Sequence, residues 1–258
     1  MQLIKDRCRF MYPKLPSYIR HYLSASLKVD FLLEVQLLLL TFSTGIQDAV
    51  SYPDFKCFAS NQTGNSVVLA VGLAGHDSSV FNLANVGLSL GMFLAGAIMT
   101  GQLANFVGPR GRMWLIISHL IQTLLAFVAA IIHPRHAQSG NSPSSIGSLA
   151  LLAFASGAQV ASMRPFRIQE ITTAMATAAW VDLVIDPRLL KIHNRSRNRR
   201  AGFLISLVLG SFAGAFMRKG VGSSNALYVA AAGKTLVVLM LFLNREEKPI
   251  DQSQTNPY

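Results

Sequence analysis

Charge is scarce in this chain. Of its 258 residues only 14% are charged and 51% are hydrophobic, against roughly 25% charged in an average soluble domain. Mean hydropathy is +0.39. A soluble fold of this length lacks the charge to cover its surface, so a lipid-facing exterior is the simpler account. Acidic residues are the scarcer sign, 12 against 23 Lys and Arg, a net charge of +11. The excess lies in the first 28 residues and in "DPRLLKIHNRSRNRR", residues 186–200, with no aromatic stacking pattern beside it. Nucleic acid is therefore not an expected partner. Basic flanks on apolar segments instead mark cytoplasmic loops facing anionic lipid. Cysteine is limited to Cys8 and Cys57, too few and too differently placed for a disulfide framework. HExxH, CxxC, P-loop, GxSxG and strand-borne GxGxxG patterns are all missing. No enzymatic activity, cofactor or metal site is expected.

What the chain has is long apolar runs, sized for a hydrocarbon core about 30 Å thick. Eight segments are readable, at about 31–51, 57–75, 82–105, 113–132, 146–163, 168–185, 201–217 and 225–243. The fold class expected is all-α, a polytopic transmembrane helix bundle of six to eight membrane segments. The second and sixth segments are polar through their first halves. They read as crossing, broken or re-entrant, the last two only where protein shields them. Residues 1–30 form a basic N-terminal cytoplasmic tail. It contains no continuous apolar stretch of the signal-peptide kind. Tyr12, Leu15, Tyr18, Ile19, Tyr22 and Leu23 fit a surface-lying amphipathic piece, and a disordered tail fits equally. Residues 31–243 are the transmembrane domain and 244–258 a polar C-terminal tail.

The halves echo each other. "GIQDA" at Gly45–Ala49 matches "GAQVA" at Gly157–Ala161, displaced by 112, and Pro53 and Pro165 follow. "LSLGMF" at Leu88–Phe93 matches "LVLGSF" at Leu207–Phe212, displaced by 119. The expectation is a duplication, with repeat one at about 31–132 and repeat two at about 146–243, as in transporters that bind between repeats. Six crossings would invert the repeats and eight would make them parallel. Positive-inside counting favours six, because it brings Arg110, Arg112, Arg164 and Arg167 to the cytoplasm.

Ionisable and amide side chains at bilayer depth are functional candidates. Asp48 is a candidate proton or cation site. Lys234 is its candidate partner or the counter-ion of an anionic solute. Asp182, Gln47, Gln159, Asn61, Thr63 and Asn65 complete the candidate pathway, with "NQTGN" placing Asn61 and Asn65 on one helix face. Static ion pairing and interhelical packing are the competing roles, at about 0.6 kcal/mol for an average interhelical hydrogen bond. His119 reads as a packed histidine. Gly87, Gly91, Gly210 and Gly214 are small-xxx-small pairs, expected to pack the third segment against the seventh.

The stretch "GIQDAVSY…CFASNQTGN" resembles the YoaK-like family of polytopic membrane proteins, a domain-of-unknown-function family. The matching residues are Gly45, Asp48, Ala49, Phe58, Ala59, Asn61, Thr63, Gly64 and Asn65. "GAQVASMR" and "ITTAMATAAWVDL" resemble its second-half motif, and the basic loop its fungal branch. Ala176–Thr177 stands where bacterial members often carry Thr-Gly. The resemblance covers about residues 34–243. It implies an integral membrane protein, multi-pass, in the plasma membrane or an internal membrane. The function expected is a secondary transporter or permease for a small solute. The alternative is a non-transporting scaffold or lipid-interacting assembly protein. The expected partners are the bilayer, anionic lipid at the basic tail and loop, and the solute, and an oligomer is compatible with this reading.

Overall fold

The computed structural model describes residues 16–75, 82–133 and 142–247. Residues 1–15, with Cys8 and most of the basic tail, lie outside the described residues, as do 134–141 of the polar linker and the C-terminal tail from 248. Nine α-helices are described: α1 Ser17–Ser24, α2 Phe31–Phe55, α3 Gln62–Leu73, α4 Leu83–Val107, α5 Arg112–Ile132, α6 Pro143–Met163, α7 Thr177–Val184, α8 Arg195–Gly220 and α9 Ser223–Leu241. A short 3-10 turn, Arg164–Phe166, extends α6. Pairing among the described residues is confined to two isolated bridges, Ser26 to Gly111 and Leu27 to Glu246.

The helix starts are written in short polar side chains. Asp30, Asn61, Asn82, Ser142 and Asn194 each accept a backbone N–H of the first turn, opening α2, α3, α4, α6 and α8. Five helices, α4, α5, α6 with its extension, α8 and α9, are long and apolar enough to cross a membrane. α2 is as long as α4 but carries Glu34, Gln36, Gln47, Asp48 and Asp54. It tolerates them because it is wrapped by other helices.

The second and sixth segments are short. At 1.5 Å per residue α3 spans about 18 Å and α7 about 12 Å, well under a hydrocarbon core. Each is preceded by non-helical backbone, 56–61 and 167–176. Both breaks follow a cation in the left-handed region, Lys56 at φ 58° and Arg167 at φ 54°.

Six long helices alternate direction between two ends. At the first end, Leu33, Leu37, Leu115, Met163, Phe203 and Leu241 share one core cluster. Gln36 donates to Asn244 at 2.6 Å there, and Arg199 pairs with Glu34 at 2.7 Å. α1 lies across this end, with Tyr22 under the Arg112 guanidinium at 3.8 Å and its hydroxyl donating to the Phe242 carbonyl. At the second end, Asp54 contacts Arg218 at 2.7 Å and His133 at 3.1 Å, joining α2, α8 and α5. A second cluster around Val50, Phe55, Val86, Ala130, Leu149 and Leu227 sits above them.

Glycine fixes the two tightest crossings. A Cβ on Gly45 of α2 would lie 2.5 Å from the Leu207 carbonyl oxygen, and one on Gly210 of α8 2.2 Å from that of Phe42. A Cβ on Gly157 of α6 would lie 2.0 Å from the Phe93 oxygen, and one on Gly96 of α4 2.1 Å from that of Phe154. The crossings are reciprocal: α2 lies on α8 as α6 lies on α4. Two expectations are corrected. Gly210 and Gly214 pack on α2, at Phe42 and Ile46, not on the third segment. Gly87 and Gly91 have nothing within 4 Å of an added Cβ. The buried stripe of α4 runs through Asn85, Val86, Ser89, Gly96 and Thr100, and Gly87 and Gly91 lie on its exposed face. The contact register also places Gly96 opposite the role of Gly210, a displacement of 114 and not 119.

Candidate functional site

The break between α2 and α3 exposes peptide groups that must be satisfied at membrane depth. The polar residues of the first motif satisfy them. Asp48 accepts from the Ser60 N–H at 2.9 Å and from the Ser60 hydroxyl at 2.5 Å. Asn65 is fully buried. Its Oδ1 accepts from the Phe58 N–H at 3.0 Å and its amide donates to the Phe58 carbonyl at 2.7 Å. A neighbouring strand would pair with that peptide in the same way. Ser89 of α4 donates to the same carbonyl at 2.7 Å, and Asn85 donates to that of Phe55 at 2.9 Å. Gly64 faces the Phe58 ring, where a Cβ would come within 3.3 Å. Asn61 caps α3 and is exposed, as is Thr63.

A separate polar group lies about half-way along the bundle. Gln47 of α2 donates to Ser156 of α6 at 2.7 Å and to the Leu152 carbonyl at 3.3 Å. Gln159 of α6 donates back to Thr44 of α2 at 3.1 Å. The two amides, 112 residues apart, thus exchange bonds across one contact. Lys234 of α9 is 2% exposed and donates to the Gln159 carbonyl oxygen. Among the described residues no carboxylate pairs with it. His119 of α5 lies within reach of its charge. Nδ1 of that ring is 3.0 Å from the Leu115 carbonyl, and its buried Nε2 has no partner among the described residues. An ammonium group removed from water without a counter-charge is costly.

The candidate residues fall in three places. Asp48, Asn61, Thr63 and Asn65 are at the first break, near the second end. Gln47, Gln159 and Lys234 are central. Asp182 is at the first end, half-exposed on α7, 3.7 Å from Arg200. Around the second break, Glu170 accepts from Ser196 at 2.9 Å and faces Arg199 at 3.6 Å. Thr173 is buried at φ 63°, its hydroxyl without a partner among the described residues. Sequence reasoning passed over Ser60, Asn85, Ser89, Thr44 and Ser156. Asn85 and Ser89 did carry a signal, two polar residues four apart in an otherwise apolar run. Among the described residues no three His, Cys, Asp or Glu side chains gather in a way that could hold a metal ion.

Residues 36–240 match a family of proteins of unknown function, DUF1275. The chain belongs to this family. The matched span includes both breaks, both glycine crossings and the central Gln–Lys group. The family's description names no activity. Neither the curated proteins nor the solved structures contain a match.

Proposed function

We propose that this member of the family is a multi-pass membrane protein that acts as a secondary transporter or permease for a small solute. On this reading α2, α4, α5, α6, α8 and α9 cross the bilayer. Helices α2–α5 and α6–α9 are inverted repeats of three crossings each, and α3 and α7 are re-entrant pieces at opposite ends. The carrying observation is the reciprocal exchange at the centre, Gln47 to Ser156 and Gln159 to Thr44. Transporters built from inverted repeats commonly place their solute site near the midplane at the interface between the repeats. The charges support the orientation. Lys28, Arg110, Arg112, Arg167, Arg199 and Arg245 belong to segments gathered at the first end, against Lys56, Arg218 and Lys219 at the second, which favours the first end as the cytoplasmic one. The YoaK-like character and the fungal branch rest on the motif resemblance alone. Catalysis has no part in this reading.

Lys234, unmatched by a carboxylate among the described residues, favours an anionic solute. The test is uptake of labelled small monocarboxylates and halides into proteoliposomes under an inward gradient. Wild type should accumulate a member of that set, and Lys234→Met should lose at least tenfold of the rate while remaining monodisperse. Asp48→Asn separates the first break from the centre, because an amide still accepts the Ser60 N–H. Wild-type flux in Lys234→Met would remove the central site. No flux in any arm would leave the non-transporting scaffold as the reading.

A further inference from the structure

The second-best furnished region of the molecule is at the other depth. A cleft of 550 Å³ opens at the first end between the beginnings of α2 and α8. One wall is apolar, formed by Phe31, Val35, Leu38, Ile171 and Ile192. The rest of the lining is polar, formed by His193, Asn194, Arg195, Asn198 and Arg199, with Glu34 bonded to both arginines. The loop leading to this polar part, 186–200, carries six Lys and Arg against one Asp. It also presents Leu190 and Ile192 outward, at 93% and 84% exposure. Arg197 holds them there by donating to the backbone carbonyls of Leu189, at 2.5 Å, and Lys191, at 2.8 Å. Water does not favour two aliphatic side chains displayed among cations, whereas the boundary of an anionic leaflet favours both.

We propose that this cleft is a binding site for an anionic glycerophospholipid of the leaflet at the first end. One acyl chain lies along Phe31, Val35 and Leu38, and the phosphate sits at the rim beside Arg195 and His193. The Arg195 side chain is 62% exposed while bonded to Glu34, so it keeps donors available at the mouth. Glu34 accepts from both Arg195 and Arg199 and so tempers the repulsion between the two guanidinium groups. The site needs the chain to lie in a bilayer. It does not need the chain to move a solute, so flux data and lipid data fail independently.

The full chain is reconstituted into phosphatidylcholine bilayers containing a minority of phosphatidylglycerol. It is then extracted, washed in high salt, and its retained lipids are counted by mass spectrometry. Wild type should retain phosphatidylglycerol several-fold above its share of the bilayer. Arg195→Gln should lower that enrichment about fivefold, the usual weight of one basic side chain at an anionic surface. Val35→Trp fills the cleft with every charge kept and should abolish the enrichment. Ile192→Asp, on the exposed loop, removes part of the wall without touching helix packing and should do the same. Absence of enrichment in wild type overturns the proposal. So does enrichment that survives both Val35→Trp and Ile192→Asp, which would mean charge attraction at the surface only.

Discussion

The two helix breaks solve one problem with different chemistry. The first, 56–61, is held by side chains that reach its own peptides: Asp48 accepts from the Ser60 N–H, Asn65 accepts from the Phe58 N–H and donates to its carbonyl, Ser89 donates to the same carbonyl, and Asn85 donates to that of Phe55. The second, 167–176, is tied to α8 by a charged residue of its own, Glu170 against Arg199 and Ser196; its Thr172 hydroxyl bonds the Met175 N–H and carbonyl, and Thr173 is kept in a left-handed conformation. A β-branched residue at positive φ is strained. The first break is thus a rigid joint and the second a stressed one. The glycine crossings, by contrast, are alike in both halves. The shared frame lies in the crossings and the difference lies in the joints.

The largest expected effect tests the frame. Gly45→Ala and Gly157→Ala each force a Cβ into a facing carbonyl oxygen, at 2.5 and 2.0 Å. Backbone on both sides leaves nothing flexible to yield. Each variant should lose about 4 kcal/mol or more, the range reserved for severe packing defects. Thermal unfolding in detergent measures this. If Gly45→Ala were tolerated while Gly157→Ala unfolded, the crossings would not be equivalent and the paired-repeat reading would weaken.

The membrane class was legible in the sequence, because it depends on composition, and the polar first halves of the second and sixth segments marked where the helices break. The caps Asn61 and Asn194, which start α3 and α8 several residues from the apolar runs' own limits, were not. Partnerships were not legible. Gly87 and Gly91 have the right spacing, but spacing does not say which side of a helix meets a neighbour. Gly96, which does meet one, belongs to no obvious pair. Asp48 and Asn65 stand out in the sequence as polar groups beside apolar runs. Their partners are backbone groups of the break, and no sequence pattern displays a carbonyl oxygen. Asp182 was a candidate at bilayer depth because its segment was apolar, yet a helix as short as α7 leaves it half-exposed at the first end, beside Arg200.

The next effect is moderate and has opposite signs at the two joints. Asn65→Ala leaves the Phe58 N–H buried without its partner, and strips one of two donors from its carbonyl. The loss should be about 2–3 kcal/mol, the cost of stranding a buried backbone donor. Thr173→Gly should gain about 1 kcal/mol, because it relieves a left-handed β-branched residue and deletes an orphaned hydroxyl, less the entropy glycine adds to the unfolded chain. Unfolding midpoints of the two variants against wild type decide the matter. A destabilised Thr173→Gly would mean that its side chain supports the second joint, and the rigid-versus-stressed contrast would fail.

The smallest effect is a pH response confined to the loop that follows the second joint. The Arg188 N–H, donating at 2.8 Å, holds the Asp186 carboxyl below the usual aspartate range, helped by the Asn194 amide at 3.0 Å and by Arg200. The folded form therefore binds this proton less readily than the unfolded chain does. The bonds contribute fully above the unfolded value, about pH 3.9. That contribution fades as the pH falls through the lower folded value. The loop segment 186–194 should lose amide-exchange protection on acidification from neutral pH to below 4, after correction for intrinsic exchange rates. The α4–α6 crossing, where Gly96 and Gly157 meet backbone and no ionisable side chain, should keep its protection over the same range. In high salt the loop should still respond, because the leading interaction is a hydrogen bond to backbone and only the Arg200 contribution is screened. A loop indifferent to pH would show that Asp186 organises nothing. Arg197 alone would then account for the outward display of Leu190 and Ile192.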